Sequence, residues 1–156
     1  MGISLGPTPW WQAKLVSSLN VGSSLPDGSR IICKAGGVAW IVAPASTQVS
    51  ERWAGGQYNS TLVGVKCSID EWSGLETQLI NCGFNPSDWF VPSISQLQNP
   101  GYVCRDNWDS ISAARYWSST EINGTRAHSV LYSSGNACSC TKSGSICVRA
   151  FRCVTY

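Results

Sequence analysis

Two aromatic motifs constrain the fold of this chain more than any other feature. The first is DWFVPS at residues 88–93, and the second is YWSSTE at residues 116–121. Each joins large aromatic side chains, which bury large areas, to hydroxyl side chains that bond nearby backbone groups and fix turns. We expect both motifs to form rigid, non-repetitive backbone on a tryptophan-rich core. Neither has the composition of a catalytic motif.

Length and charge exclude several classes of protein. A chain of 156 residues predicts one domain with a proper core. With 13% charged residues and a net charge of +2, the sequence lacks the basic surface that nucleic-acid binding requires. No apolar run approaches the roughly 18 residues of a membrane helix, so we expect no membrane insertion. The opening residues have neither the basic nor the apolar part of a signal peptide, which predicts that none is present.

The spacing of apolar, turn and capping residues predicts an α+β chain with many loops. The apolar residues Trp72, Leu75 and Leu79 fall on one face of a predicted helix over residues 68–82, capped by Ser68 or Asp70 and ended by Gly83. A second short helix is expected after Ser93. Strands are expected at residues 30–33 and 38–42, which form a hairpin, and at 61–67, 126–133, 137–141 and 146–154.

The two motifs and a third segment resemble a known family. DWFVPS followed by SQL, then YWSSTE, Gly135 and VRAFR at residues 148–152, and GGVAWIVAP at residues 36–44, are similar to motifs of the C-terminal domain family of collagen-like bacterial adhesins. The resemblance covers residues 28–154 and has three motifs in the family's order. Where the family has an acidic residue before the leucine of the first motif, this chain has Gln96.

The resemblance implies a fold and a set of structural residues. It implies a C-type-lectin-like fold, related to that of formylglycine-generating enzymes, with small antiparallel sheets flanked by two short helices. In that fold Arg149 or Arg152 is expected to pair with Asp88 or Glu121, because arginine favours bidentate carboxylate contacts. The residues expected to hold the motifs are Asp88, Trp89, Pro92, Trp117, Glu121, Arg149 and Arg152.

The first 28 residues lie largely outside this resemblance. Thr8 and Pro9 predict a helix start, and the following WWQAKLVSSL predicts two to three helical turns. The chain is therefore divided into an N-terminal segment, residues 1–28, and a lectin-like domain, residues 29–156. Trp10 and Trp11 have two interpretations: they cover the core of this domain, or they dock onto a neighbouring subunit.

Eight cysteines predict a disulfide framework formed outside a reducing cell. Assembly of a virion inside a cell, followed by release, reconciles this prediction with the missing signal peptide. An unseen secretion route and eight buried free thiols are the alternatives. If Ser143 and Gly144 form a two-residue turn, Cys140 faces Cys147 across a hairpin, and we expect a disulfide there.

No motif predicts catalysis, a metal or another cofactor. The single histidine, His128, falls within a predicted strand and lacks a nucleophile partner in the sequence. The spacing of the late cysteines does not match a zinc site. Calcium binding by Asp106, Asp109 and Glu121 and oxidase chemistry by Cys147 and Cys153, as in formylglycine-generating enzymes, are weaker interpretations.

The sequence therefore predicts a non-enzymatic surface or structural protein of a phage virion, either a capsid decoration protein or a fibre-tip protein. Its expected place is the virion surface or the extracellular space. Its expected partners are other virion proteins, further copies of itself, and a host-surface glycan or protein. The alternatives are a purely architectural virion subunit and a secreted bacterial adhesin. The residues expected to contact a ligand are Tyr58, Asn59, Asn123, Arg126, His128 and Tyr132.

Overall fold

The structure, a computed structural model, describes residues 10–56, 58 and 60–156. These residues contain three α-helices and two β-sheets. This arrangement confirms the α+β class. The helices are α1 (Trp10–Ser18), α2 (Ser73–Asn81) and α3 (Ile94–Gln96). The strands are β1 (Arg30–Ala35), β2 (Val38–Val42), β3 (Val49–Glu51), β4 (Arg115–Glu121), β5 (Arg126–Leu131), β6 (Ala137–Thr141), β7 (Ile146–Val148) and β8 (Phe151–Thr155). Of the helices in these ranges, none has the length and apolar character needed to cross a bilayer.

The strands form one sheet of three and one sheet of five. The small sheet has the order β1-β2-β8 and is antiparallel throughout, and the large sheet has the order β3-β7-β4-β5-β6. In the large sheet β4 and β7 run parallel, so the expectation of purely antiparallel sheets is wrong at this pair. A parallel neighbour is possible here because a long stretch of chain connects the two strands.

The last predicted strand divides between the two sheets. Residues 146–154 were expected to form one strand, but β7 belongs to the large sheet and β8 to the small one. Arg149 and Ala150 form the crossing between them, and both are buried. This crossing holds the two sheets together through the backbone itself.

The first hairpin forms where the sequence predicts it. Strands β1 and β2 pair in antiparallel register and are joined through Gly36 and Gly37, whose φ angles are 60° and 77°. Positive φ at both central residues suits the right-handed twist of the strands, and glycine adopts it without steric cost. The predicted strand at residues 61–67, by contrast, is not a strand in the structure.

Helix α2 begins at Ser73, later than the predicted residue 68, but Trp72, Leu75 and Leu79 are all fully buried, as their spacing predicts. Its cap differs from the prediction. The carboxylate of Glu51, in β3, accepts from the backbone N–H groups of Gly74 and Leu75 at 3.1 and 2.8 Å. A distant strand residue therefore replaces the expected caps, Ser68 and Asp70, in satisfying the free N–H groups of the first turn.

The end of α2 and the start of α3 follow the local signals. Gly83, with a φ of 87°, ends α2 as predicted. Ser93 begins α3 with a capping box, in which Ser93 Oγ accepts from Gln96 N and Gln96 Oε1 accepts from Ser93 N at 3.0 Å. The neutral Gln96 side chain therefore accepts the same backbone hydrogen bond that a glutamate accepts in a capping box.

The two aromatic motifs lie side by side. Ser119 N donates to Pro92 C=O at 2.8 Å, and Ile94 N donates to Thr120 Oγ1 at 3.0 Å. The second motif is strand β4, with a register irregularity between Trp117 and Glu121, so the expectation of wholly non-repetitive backbone is wrong there. Hydroxyl residues still join the motifs, as their composition suggested.

The core has two hydrophobic clusters. The larger, which we call the Trp53 cluster, includes Val16, Ile31, Ile41, Trp53, Trp72, Leu75, Leu79, Trp89, Trp117 and Val148. The smaller, the Trp108 cluster, comprises Ile32, Val42, Leu97, Trp108, Tyr116, Val130, Tyr132 and Phe151. The fully buried Val16 of α1 belongs to the Trp53 cluster. Helix α1 therefore packs against the same core as residues 29–156. The division at residue 28 stays a prediction.

Candidate functional site

A buried arginine holds the crossing between the sheets. Arg149 Nε donates to Ala43 C=O at 2.9 Å, and Nη2 forms an ion pair with Asp109. Asp109 Oδ2 in turn accepts from Ala45 N at 2.8 Å. The guanidinium lies 5.1 Å from the ring centroid of Trp108. The sequence predicts that one of Arg149 and Arg152 pairs with a carboxylate such as Asp88 or Glu121; in the structure the partner of Arg149 is Asp109.

Glu121 pairs with Lys142, which no sequence pattern indicated. Lys142 is fully buried, forms an ion pair with Glu121 and donates to Thr61 C=O at 3.0 Å. The same carboxylate accepts from the backbone N–H groups of Val63 and Gly64. Burial opposes the ionisation of Glu121, but the bonds from Lys142 and the two N–H groups prevail and lower its pKa. The ion pair therefore fixes the loop at residues 61–64 against β4.

Arg152 lies beside the first motif. Its Nη2 donates to Gln12 Oε1 at 2.9 Å, and its guanidinium lies 5.6 Å from the ring centroid of Trp89. Burial lowers the pKa of Arg152, and the negative charges of Asp88 and Asp27 oppose that shift. Arg152 therefore joins α1, β8 and the DWFVPS segment. These contacts give the motif residues structural positions, with Trp89, Pro92 and Trp117 all buried.

A groove of about 440 Å³ lies next to the first motif. It runs between the outer face of α2 and the turn that precedes Trp89. Its polar groups are hydroxyls, carboxylates and an amide, and its apolar wall has two aliphatic side chains, a proline and the edge of the largely buried indole of Trp89. The lining residues are Ser68, Ile69, Asp70, Glu76, Ile80, Asn85, Pro86, Ser87 and Trp89.

Local structure makes the groove rigid. Asn85 Oδ1 accepts from Ser87 N at 3.2 Å and from Ser87 Oγ at 2.9 Å, and so caps the short turn Pro86–Asp88. The ring of Trp89 meets Phe84 edge-on, with centroids 5.5 Å apart. Such pre-formed concave sites, with a few fixed polar groups beside apolar surface, are the usual form of small-ligand sites.

The structure places some of the predicted ligand contacts in structural positions. Tyr132 is only 8% exposed, and its hydroxyl donates to Leu97 C=O at 3.0 Å, so the prediction that it contacts a ligand is wrong. Tyr132 directly follows β5, and its side chain belongs to the Trp108 cluster. Asn123 accepts from the N–H groups of Thr125 and Arg126 and closes the β4–β5 turn.

The remaining predicted contacts are dispersed. Arg126 donates to Ser139 Oγ and C=O on β6, while His128 lies on β5 with a buried Nδ1 that has no hydrogen-bond partner among the described residues. Tyr58 lies under Lys66, whose Nζ is 4.7 Å from the ring centroid. Asn59 lies outside the described residues, as do the side chains of Trp10 and Trp11. Of these positions, Arg126, His128 and Tyr58, which the structure describes, do not line the groove.

The expected Cys140–Cys147 disulfide is wrong for this fold, in which all eight cysteines are free thiols. Cys140 is on β6 and Cys147 is on β7, and β5 and β4 lie between these strands. Three inter-strand steps of about 4.8 Å separate them, whereas a disulfide needs Cα atoms within about 7 Å. The prediction assumed that strands adjacent in sequence would pair.

The acidic residues considered for calcium do not form a common site. Asp109 is paired with Arg149 and Glu121 with Lys142, so each carboxylate already has a cation. In residues 10–56, 58 and 60–156, no cluster of three or more His, Cys, Asp or Glu side chains is arranged to hold a metal ion.

No sequence pattern indicated roles for Glu51 and Lys142, or a position in a groove for Asp70, Glu76 and Asn85. Asn85 had a local signal, because asparagine before proline commonly caps a short turn. The others depend on contacts between distant segments, which no local pattern reports. Comparison with known proteins adds no family: no protein-family model matches this sequence, and no curated protein matches it. The motif resemblance therefore stays a prediction.

Proposed function

We propose that this chain is a non-enzymatic attachment protein of a phage virion surface, a capsid decoration or fibre-tip protein, and that its groove beside Trp89 binds a host-surface glycan. The groove is the observation that carries the binding role. The resemblance of three ordered motifs to adhesin C-terminal domains supports the virion setting and the C-type-lectin-like fold. The mixed arrangement of two sheets and helices agrees with such a fold.

The chemistry of the groove suits a sugar. Sugar hydroxyls both donate and accept hydrogen bonds, and Asp70, Glu76 and Asn85 offer carboxylate acceptors and an amide with both functions. Ile80, which is 57% exposed, and Pro86 provide apolar surface for the C–H faces of a sugar ring. Because the two carboxylates repel anions, we expect a neutral or amino sugar and not an acidic one.

A glycan array with the purified chain tests this role. Asp70→Asn and Glu76→Gln each remove a charged acceptor while keeping its shape, and charge-assisted hydrogen bonds contribute about 1.5–3 kcal/mol. We expect each variant to bind the selected glycan roughly 10- to 100-fold more weakly. Asp106→Asn, which changes an exposed carboxylate outside the groove, is the matched control. The groove would be excluded as a glycan site if Asp70→Asn and Glu76→Gln bind the glycan as tightly as Asp106→Asn does. It would also be excluded if the chain binds no neutral or amino sugar at millimolar concentration.

An exposed apolar patch favours a second candidate, a purely architectural subunit that contacts other copies of itself. Leu62 and Val65 are 71% and 64% exposed, and Ile122, beside the Glu121 that anchors their loop, is 36% exposed. Neighbouring apolar side chains on a surface commonly mark protein interfaces. In this case Leu62→Ser with Val65→Ser reduces the oligomeric mass in solution, and the groove variants leave both assembly and host attachment unchanged.

A further inference from the structure

Cys33 lies in β1 directly after a β-bulge, and the bulge directs its side chain. Ile31 pairs with Ile41 and Cys33 with Trp40, so two steps along β1 match one step along β2. Regular alternation would place Cys33 on the same face as Ile31. Instead, Ile31 belongs to the Trp53 cluster, whereas Ile32 and Cys33 both pack against the Trp108 cluster. A bulge re-aims a side chain in this way.

Cys104 approaches the same point from another part of the chain. It precedes the short turn Arg105–Asn107, and its C=O accepts from Asn107 N at 3.0 Å. Asn107 Nδ2 donates to Ile32 C=O at 3.1 Å, which fixes this turn beside the residue that precedes Cys33. The Cys33 and Cys104 side chains interact with each other electrostatically, and both pack against the Trp108 cluster.

The other cysteines are placed differently. Cys67 and Cys153 are exposed at the surface. Cys82 contacts Gln78 and the C=O of Ser46, Cys138 contacts the C=O of Asn136, Cys140 contacts Ser129, and Cys147 contacts Gln48. These partners are hydroxyl, amide and carbonyl groups, so the fold favours Cys33 and Cys104 as a bonded pair.

We propose that Cys33 and Cys104 are an oxidation site that forms an intramolecular disulfide on exposure to a small-molecule disulfide such as oxidised glutathione. The thiolate of one cysteine attacks a sulfur of the small disulfide and releases one small thiol. The second cysteine attacks the mixed disulfide and releases the other small thiol. Two protein S–H bonds are lost and one S–S bond forms. The two electrons and two protons end on the two released thiols.

The disulfide would join β1 to the segment between α3 and β4. It closes a loop of roughly 70 residues, and a cross-link of that span restricts the unfolded chain strongly. For a chain of this length the stabilisation corresponds to a rise in Tm of roughly 10 °C. This inference does not depend on the proposed function, because it concerns the stability of the fold in an oxidising medium.

The test uses the full chain, reduced and then incubated with excess oxidised glutathione. We expect Cys33 and Cys104 together to lose two hydrogens and to carry no glutathione, whereas the exposed thiols of Cys67 and Cys153 can take up glutathione. Digestion with trypsin and chymotrypsin should release residues 31–34 linked to residues 103–105, and reduction should separate them. This mapping uses the native sequence and does not depend on any variant folding.

Variants give the second readout. Cys33→Ser and Cys104→Ser should each abolish the linked peptide and the rise in Tm on oxidation, whereas the control Cys67→Ser should keep both. Three results would overturn the proposal. They are eight alkylatable thiols after oxidation, a stable mixed disulfide on Cys33 with Cys104 still reduced, and a linked peptide that joins Cys33 to a cysteine other than Cys104.

Discussion

Arg149 and Asp109 form an ion pair at the point where the chain crosses from the five-stranded sheet to the three-stranded sheet. The same arginine donates to Ala43 just after β2, and the same aspartate accepts from Ala45. One pair of charges therefore ties the crossing, the end of β2 and the loop before β4. Since the Arg149 side chain is fully buried, loss of its partner leaves a charge that water cannot solvate.

Asp109→Asn should lower the free energy of unfolding by about 2–3 kcal/mol, because it removes the charged partner of the fully buried Arg149 side chain. Asp106→Asn changes an exposed carboxylate three residues earlier and should stay within about 0.5 kcal/mol of the native protein. Urea denaturation followed by tryptophan fluorescence measures both. A similar midpoint for the two variants would show that the Arg149 ion pair does not stabilise the crossing.

Glu121 should make stability depend on acid pH. Because its folded-state pKa is lowered from the ordinary value of 4.5, its contribution is fully present above about pH 4.5 and is lost as pH falls through the folded value. Glu121→Gln should lower the Tm at neutral pH and remove this part of the acid dependence. A Tm series from about pH 7 to about pH 3 measures it, with Glu76→Gln as the control. The hypothesis fails if the Tm of Glu121→Gln and the Tm of Glu76→Gln fall by the same amount as the pH is lowered.

Gln96→Glu should be nearly neutral, within about 0.5 kcal/mol, because glutamate satisfies the same capping box. Gln96→Ala should cost about 1 kcal/mol, since it removes the side-chain acceptor for Ser93 N. Chemical denaturation compares the two. If Gln96→Glu were as destabilising as Gln96→Ala, the uncharged amide would have a further role at this position.

Tyr132→Phe should lower stability by about 1 kcal/mol and leave glycan binding unchanged, because its hydroxyl bonds Leu97 C=O inside the core. Burial raises the pKa of Tyr132 above the ordinary 10.0, so this phenol should remain protonated when exposed tyrosines ionise. Ultraviolet absorbance during alkaline titration reports the change. Weaker glycan binding by a stably folded Tyr132→Phe protein would restore its assignment as a ligand contact.

Local features of the sequence predicted much of the fold. Gly36 and Gly37 determined the first hairpin, the spacing of Trp72, Leu75 and Leu79 determined α2, and Ser93 with Gln96 determined the start of α3. These features succeed because turn geometry, helix periodicity and capping depend on residues a few positions apart. The tryptophan-rich motifs also predicted a rigid core.

Only the tertiary structure decided which distant groups meet. The expected Cys140–Cys147 pair failed because β4 and β5 lie between β6 and β7 in the large sheet, and that strand order depends on how the whole sheet buries its apolar face. The partners Asp109 of Arg149 and Lys142 of Glu121 are likewise set by strand order. The groove beside Trp89 forms where α2 meets the turn before the first motif. Strand order is a property of the whole core, and no short stretch of sequence specifies it.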